Sequence, residues 1–174
     1  MAPPPRLSPF MRRFTIGSVC ALALLIALIV YDRATGPQVV DGCRIEPGAN
    51  CTYANLSGSD LTGVVMPQAL FYKSGVVGTI FADAVLTGAS FNQARGSGID
   101  LTGADLSGSM LYGSDFSGAT AVGADFSDAD MRYVDLSGAD LTGANLSGAA
   151  VEGLILADAI LVDAVLPDGL EVDR

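Results

Sequence analysis

The sequence predicts an all-β solenoid of about six four-sided coils, preceded by one N-terminal transmembrane helix. Two observations carry that prediction. A five-residue unit recurs without an insertion from Ala49 to Asp168, and an uncharged apolar run, FTIGSVCALALLIALIVY, fills residues 14–31. A third bears on function: the 174 residues include no histidine.

The five-residue unit is clearest in DLSGADLTGANLSGAA, residues 135–150, where large apolar residues fall at Leu136, Leu141 and Leu146. Extending that phase gives 24 units, 120 residues in all, and 17 of their 24 central residues are Leu or Phe. Two residues before the centre stands Ala, Ser or Thr in 20 units; two residues after it stands Gly in 14. Small, polar, large is the in–out–in alternation of a strand. Ser or Thr followed by Gly then suits a type II turn, whose second central residue needs positive φ. Pro67 and Pro167 fall at the first central position, where φ near −65° is wanted. Each unit is thus a three-residue strand and a corner, and four corners close a coil of 20 residues. Six coils at the spacing of paired strands make a rod about 29 Å long.

Residues 20 apart then stack in columns. One inward column is Cys51, Phe71, Phe91, Leu111, Met131, Val151; another is Leu56, Val76, Gly96, Phe116, Leu136, Leu156. Phe116 is expected to lean into the space that Gly96 leaves, and Ala121 to make room between Phe116 and Phe126. A single unit cannot bury its apolar side, whereas stacked coils can.

The units ADLSG, ADLTG and ANLSG resemble those of the pentapeptide-repeat family, whose pattern is A(D/N)LXX. The resemblance covers residues 49–168 and implies a right-handed quadrilateral β-helix, without implying one function. The units VVMPQ, LFYKS and GVVGT, between Val64 and Ile99, depart most from the pattern.

The apolar run is long enough, at about 27 Å as a helix, to cross a bilayer core. Arg6, Arg12 and Arg13 precede it, and Asp32 and Arg33 follow and cancel. The positive-inside rule places the N-terminus in the cytoplasm and the repeats outside, periplasmic or extracellular. The expected organisation is a Pro/Arg stub over 1–13, a signal-anchor over 14–31, and a linker and N-terminal cap over 32–48. The repeats over 49–168 and a tail over 169–174 complete it. The alternative is a signal peptide cleaved near Ala34 and Gly36, which gives a secreted protein. A twin-Arg signal finds only Arg12-Arg13, and Asp41 suits a lipid-modified Cys43 poorly.

Cys20 lies within the apolar run and reads as a lipid-facing or packing residue. Cys43 and Cys51 bracket RIEPGAN, whose Pro-Gly pair favours a turn that brings the sulfurs together. A Cys43–Cys51 disulfide pinning a cap over the open first coil is expected in an oxidising compartment. The competing reading is a free, buried Cys51 beside an unrelated thiol.

Net charge is −10 overall, but residues 1–33 carry +3 and residues 34–174 carry −13. The outward position before each centre holds Asp100, Asp105, Asp115, Asp125, Asp130, Asp135 and Asp140, an acidic belt around coils three to five. That sign disfavours direct nucleic-acid binding. The belt either caps turns and keeps the rod soluble or, as the resemblance implies, imitates duplex DNA. In the second case the protein is a cytoplasm-facing inhibitor of a DNA-binding enzyme such as gyrase. In the last coil the outward positions become apolar, at Ile155, Ile160 and Val165. Such a rim marks a contact surface, and the resemblance points to a homodimer through the C-terminal coil; the rival use of the rim is packing against the GLEVDR tail.

Without histidine there is no Ser-His or Cys-His pair and no imidazole metal site. The aspartates sit on a convex rod with no pocket to shift their pKa values, and the glycines serve corners rather than a phosphate-binding loop. No catalytic residue, metal or cofactor is expected. The reading is a non-enzymatic, membrane-anchored scaffold or interaction module whose protein partner the sequence does not name.

Overall fold

In the computed structural model, contacts divide the chain into residues 1–36 and residues 37–174. The structure describes residues 38–170, all within the second unit. The expected stub at 1–13, anchor at 14–31, the start of the linker and tail residues 171–174 lie outside the described residues. Among the described residues no helix is long and apolar enough to cross a membrane.

Residues 49–165 coil as a four-sided β-helix with a 20-residue period. Parallel bridges join each outward residue to the one 20 positions on, from Asn50 with Leu70 to Asn145 with Val165. Each side carries two rungs to the next coil. The Leu61 N–H donates to the Ile80 carbonyl at 2.7 Å, and the Ile80 N–H donates back to Ser59 at 2.9 Å. A side therefore has one bridging residue, less than the three-residue strand expected, because a corner every five residues breaks the ladder.

The corners follow the expected turn. At Leu101–Ala104 the Ala104 N–H donates to the Leu101 carbonyl at 3.0 Å, and Gly103 takes φ 65°. Nine corners hold the same positive φ without glycine, at Tyr53, Gln68, Lys73, Asp83, Gln93, Asp128, Tyr133, Asp158 and Asp163. An L-residue there costs about 1 kcal/mol, and the rungs above and below hold it in place. The divergent units VVMPQ, LFYKS and GVVGT form the same corners, with turn bonds of 3.3, 3.1 and 3.2 Å at Ala69, Ser74 and Thr79. Their inward hydroxyls are satisfied: Ser74 donates to Phe71 and Thr79 to Leu56, at 2.9 and 2.8 Å.

The inward columns close the core. Phe71 and Phe91 stack at 4.4 Å, with Phe81 edge-on to both. Phe116 fills the space at Gly96: a Cβ added there would lie 2.7 Å from its ring and 2.9 Å from Val76. Ala121 is buried between Phe116 and Phe126 as expected.

The two ends differ. Before the first coil, where a linker and cap were expected, β1 (Val39–Val40) and β2 (Cys43–Arg44) form an antiparallel hairpin. Its two turn residues, Asp41 and Gly42, take φ of 46° and 76°, the requirement of a type I′ turn. Cys43 is joined to Cys51 by a disulfide, with Cα atoms 4.7 Å apart. The Asp41 carboxylate accepts the Asn55 N–H of the first coil at 2.6 Å. At the other end the pattern expected through Asp168 slips. Positive φ passes to Gly169 and the turn bond to Leu170 and Pro167. Glycine takes the left-handed conformation more cheaply than Asp168.

Candidate functional site

The acidic belt is built from the corners outward. Asp100, Asp105, Asp115, Asp125, Asp130, Asp135 and Asp140 are all bridging residues, distributed over the four sides of coils three to five. Asp105 bridges to Asp125 and Asp115 to Asp135, so like charges stand one coil apart. Each carboxylate first serves its own corner. Asp100 Oδ1 accepts the Thr102 N–H at 2.9 Å, Asp125 that of Ser127 at 2.9 Å and Asp135 that of Ser137 at 2.9 Å. Asp105, Asp115 and Asp140 accept both the N–H and the hydroxyl of the residue two ahead. Asn145, the next residue in the Asp105–Asp125 column, also donates through Nδ2 to Asp125 at 3.1 Å.

These bonds hold the charge in place. The hydroxyl and N–H of Thr142 keep Asp140 below the usual carboxylate range. Partial burial pushes Asp105 up, but the bonds from Ser107 and Thr87 outweigh it and leave the pKa lowered. At Asp130 the Arg132 guanidinium, bound at 2.8 and 2.7 Å, does the same and is itself raised. The belt is thus a set of carboxylates oriented by their own corners, and Asp130 is paired with its own neighbour.

The expected rim at Ile155, Ile160 and Val165 is exposed, at 46%, 48% and 52%, and Val162 joins it at 57%. Beneath it the inward residues Val151, Leu156 and Leu161 are only partly buried. Their backbone N–H groups, the donors that reach the next coil elsewhere, form no hydrogen bond among the described residues. The predicted pair Cys43 and Cys51 lies at the opposite end, both 1% exposed.

One surface was missed by following the inward columns alone. The first corners of the six coils hold Thr52-Tyr53, Tyr72-Lys73, Asn92-Gln93, Tyr112-Gly113, Arg132-Tyr133 and Glu152-Gly153. Every tyrosine of the coils is there, and the coils' basic residues are there or, for Arg95, beside it. Tyr53 meets Tyr72 edge-on at 5.9 Å and Tyr112 meets Tyr133 at 5.5 Å. The signal was the same 20-residue spacing, applied to outward positions.

With this geometry, the comparisons with known proteins are decisive for the family. A family model, "Pentapeptide repeats", matches over residues 49–81, 79–118 and 111–148, with eight copies. The chain belongs to the pentapeptide-repeat family. No curated protein matches the sequence. Among solved structures, the pentapeptide-repeat protein Rfr23 from the cyanobacterium Cyanothece 51142 superposes with a TM-score of 0.62 at 21% identity, covering 64% of this chain and 90% of that one. A pentapeptide-repeat protein from the Arabidopsis thaliana thylakoid lumen is 33% identical over 66% of this chain and 69% of its own, with a TM-score of 0.32. QnrB1, a plasmid-mediated fluoroquinolone resistance protein, is 23% identical over 63% and 58%, with a TM-score of 0.45. The Rfr23 superposition speaks for the β-helical fold, which in this family is right-handed.

Proposed function

We propose that this pentapeptide-repeat protein is a non-enzymatic interaction scaffold, anchored in a membrane through residues 14–31 and displaying its rod outside the cytoplasm. The observation that carries this reading is the Cys43–Cys51 disulfide at the head of the rod. Disulfides persist in oxidising compartments and are rare in the cytosol, and the charge asymmetry around the apolar run agrees with it. On the rod, carboxylates fixed by their own corners offer a patterned anionic surface to a cationic protein partner. A second copy is the partner of the last coil, where Ile155, Ile160 and Val165 border strand N–H groups that have no acceptor among the described residues.

Alkaline phosphatase and green fluorescent protein, each fused after Arg174, test the display. An active phosphatase and a dark fluorescent fusion are expected. The reverse pattern overturns the reading and moves the protein to the second one, a cytoplasm-facing DNA mimic acting on a DNA-binding enzyme such as gyrase. That alternative is favoured by one feature, the ladder-spaced aspartates on four sides of the rod. Sedimentation of the detergent-solubilised chain tests the dimer. Self-association abolished by Ile155→Asp with Ile160→Asp supports it; a monomer at all concentrations overturns it.

A further inference from the structure

The corner that carries the tyrosines also holds two cations, Lys73 and Arg95, that form no ion pair among the described residues. Lys73 and Arg95 line a cleft of about 430 Å³ together with Tyr53 and Gln93. Among the described residues the sole ion pair is Arg132 with Asp130, so neither Lys73 nor Arg95 is in one. Asp115, one coil beyond Arg95 in the same column, spends its Oδ1 on the N–H and hydroxyl of Ser117. Lys73 lies over the Tyr72 ring, 5.1 Å from its centre. Tyr53 is 68% exposed, so much of its ring is open to a ligand.

A complementary lack lies in the same corner. Asn92, between Tyr72 and Tyr112 in the column, has a buried Oδ1 with no donor among the described residues. A buried acceptor without a donor costs about 1–3 kcal/mol. Among the described residues the corner therefore has two cations without an ion-pair partner and one buried acceptor without a donor, beside an open aromatic face.

The backbone narrows the choice of ligand. The N–H groups of Tyr53, Lys73 and Gln93 already donate to Tyr72, Asn92 and Tyr112 of the following coils, at 3.0, 3.1 and 2.9 Å. No strand edge is left here for an acidic peptide to extend by main-chain pairing. Recognition has to come from ring faces, one amide side chain and two cations. A carboxylate-bearing sugar offers the matching parts: an anion, several hydroxyl donors and a C–H face that packs on an aromatic ring.

We propose that the Tyr53–Lys73–Gln93–Arg95 cleft binds an acidic saccharide. Lys73 and Arg95 hold the carboxylate, the Tyr53 ring packs against the sugar face, and Gln93 reads hydroxyls. The assignment depends on the corner alone and not on which side of a membrane the rod occupies. The four cleft residues come from the first three coils, about 10 Å of rod, a span suited to two or three sugar units.

The test titrates the full chain in detergent micelles with three probes: trigalacturonate, a glucuronate-terminated trisaccharide and a sialic-acid-terminated trisaccharide. Calorimetry and tyrosine emission are the readouts, the chain having no tryptophan. At least one probe is expected to bind, and its uncharged counterpart at least tenfold less well. Lys73→Gln and Arg95→Gln should each weaken binding about tenfold. Arg132→Gln, already matched by Asp130, should change it less than twofold. Circular dichroism of each variant establishes that the coil is intact. Binding of none of the three acids overturns the proposal. So does hexaglutamate binding equally well, which would assign the corner to a peptide, or inorganic phosphate producing the whole response. Saccharide binding indifferent to Lys73→Gln and Arg95→Gln would overturn it too.

Discussion

The two ends of the coil are made from the same unit and differ in what covers them. In the first coil the central residues Cys51, Leu56, Leu61 and Met66 are buried to within 1%. In the last, Val151, Leu156, Leu161 and Leu166 remain partly open. Each coil relies on the next one for half of its burial and half of its rungs, so repetition alone never finishes an end. At the N-terminal end the finish comes from non-repeat residues: a hairpin, a disulfide and the Asp41 carboxylate. Among the described residues nothing equivalent follows Val165.

Truncating one equivalent residue at each end gives the largest expected contrast. Leu61→Ala removes a fully buried side chain and should cost about 3 kcal/mol in denaturant unfolding. Leu161→Ala, one hundred residues on in the same column, should cost under about 1.5 kcal/mol. Equal costs would mean that the last coil is buried after all. Next is the staple: replacing Cys43 and Cys51 by Ala should lower stability by about 2–3 kcal/mol, as loss of a closed loop of this size does. The loss should vanish when wild type and variant are compared under reducing conditions. Asp41→Ala leaves the Asn55 N–H without its acceptor and should cost about 1 kcal/mol, whereas Asp168→Ala, at the open end, should fall within about 0.5 kcal/mol of wild type.

Acid should produce the smallest and broadest effect. The pKa values of Asp105, Asp130 and Asp140 are lowered in the folded chain. Their stabilisation is therefore complete above the unfolded carboxylate value of about 3.9 and is lost as pH falls through the lower folded values. Thermal melts from pH 7 to pH 2 should be flat until about pH 4 and then decline. Asp105→Asn should reduce that decline.

The coil was legible because 24 units keep one phase, which fixes inward columns before any contact is known. The packing of Phe116 into Gly96 and the Cys43–Cys51 bond followed from that phase and from a Pro-Gly turn. The outward surface was less legible. The aspartates read as a belt that either caps turns or imitates duplex DNA, and each does accept a bond at its own corner, which leaves the second use of the belt unread. The tyrosine corner was present at 20-residue spacing, but outward residues follow no packing rule that would draw attention to it. The slip from Asp168 to Gly169 has a local cause, glycine's freedom, that the five-residue phase overrode in the reading. The half-open state of Leu156 and Leu161 is a property of position in the stack and has no signature in the unit itself.

Native-state amide hydrogen exchange tests the contrast between the ends most directly. In dilute protein, the amides of Leu56 and Leu61, bonded to Gly75 and Ile80 of the second coil, should exchange slowly, and those of Leu156 and Leu161 rapidly. Protection of Leu156 and Leu161 equal to that of Leu56 and Leu61, independent of protein concentration, would contradict an open C-terminal end.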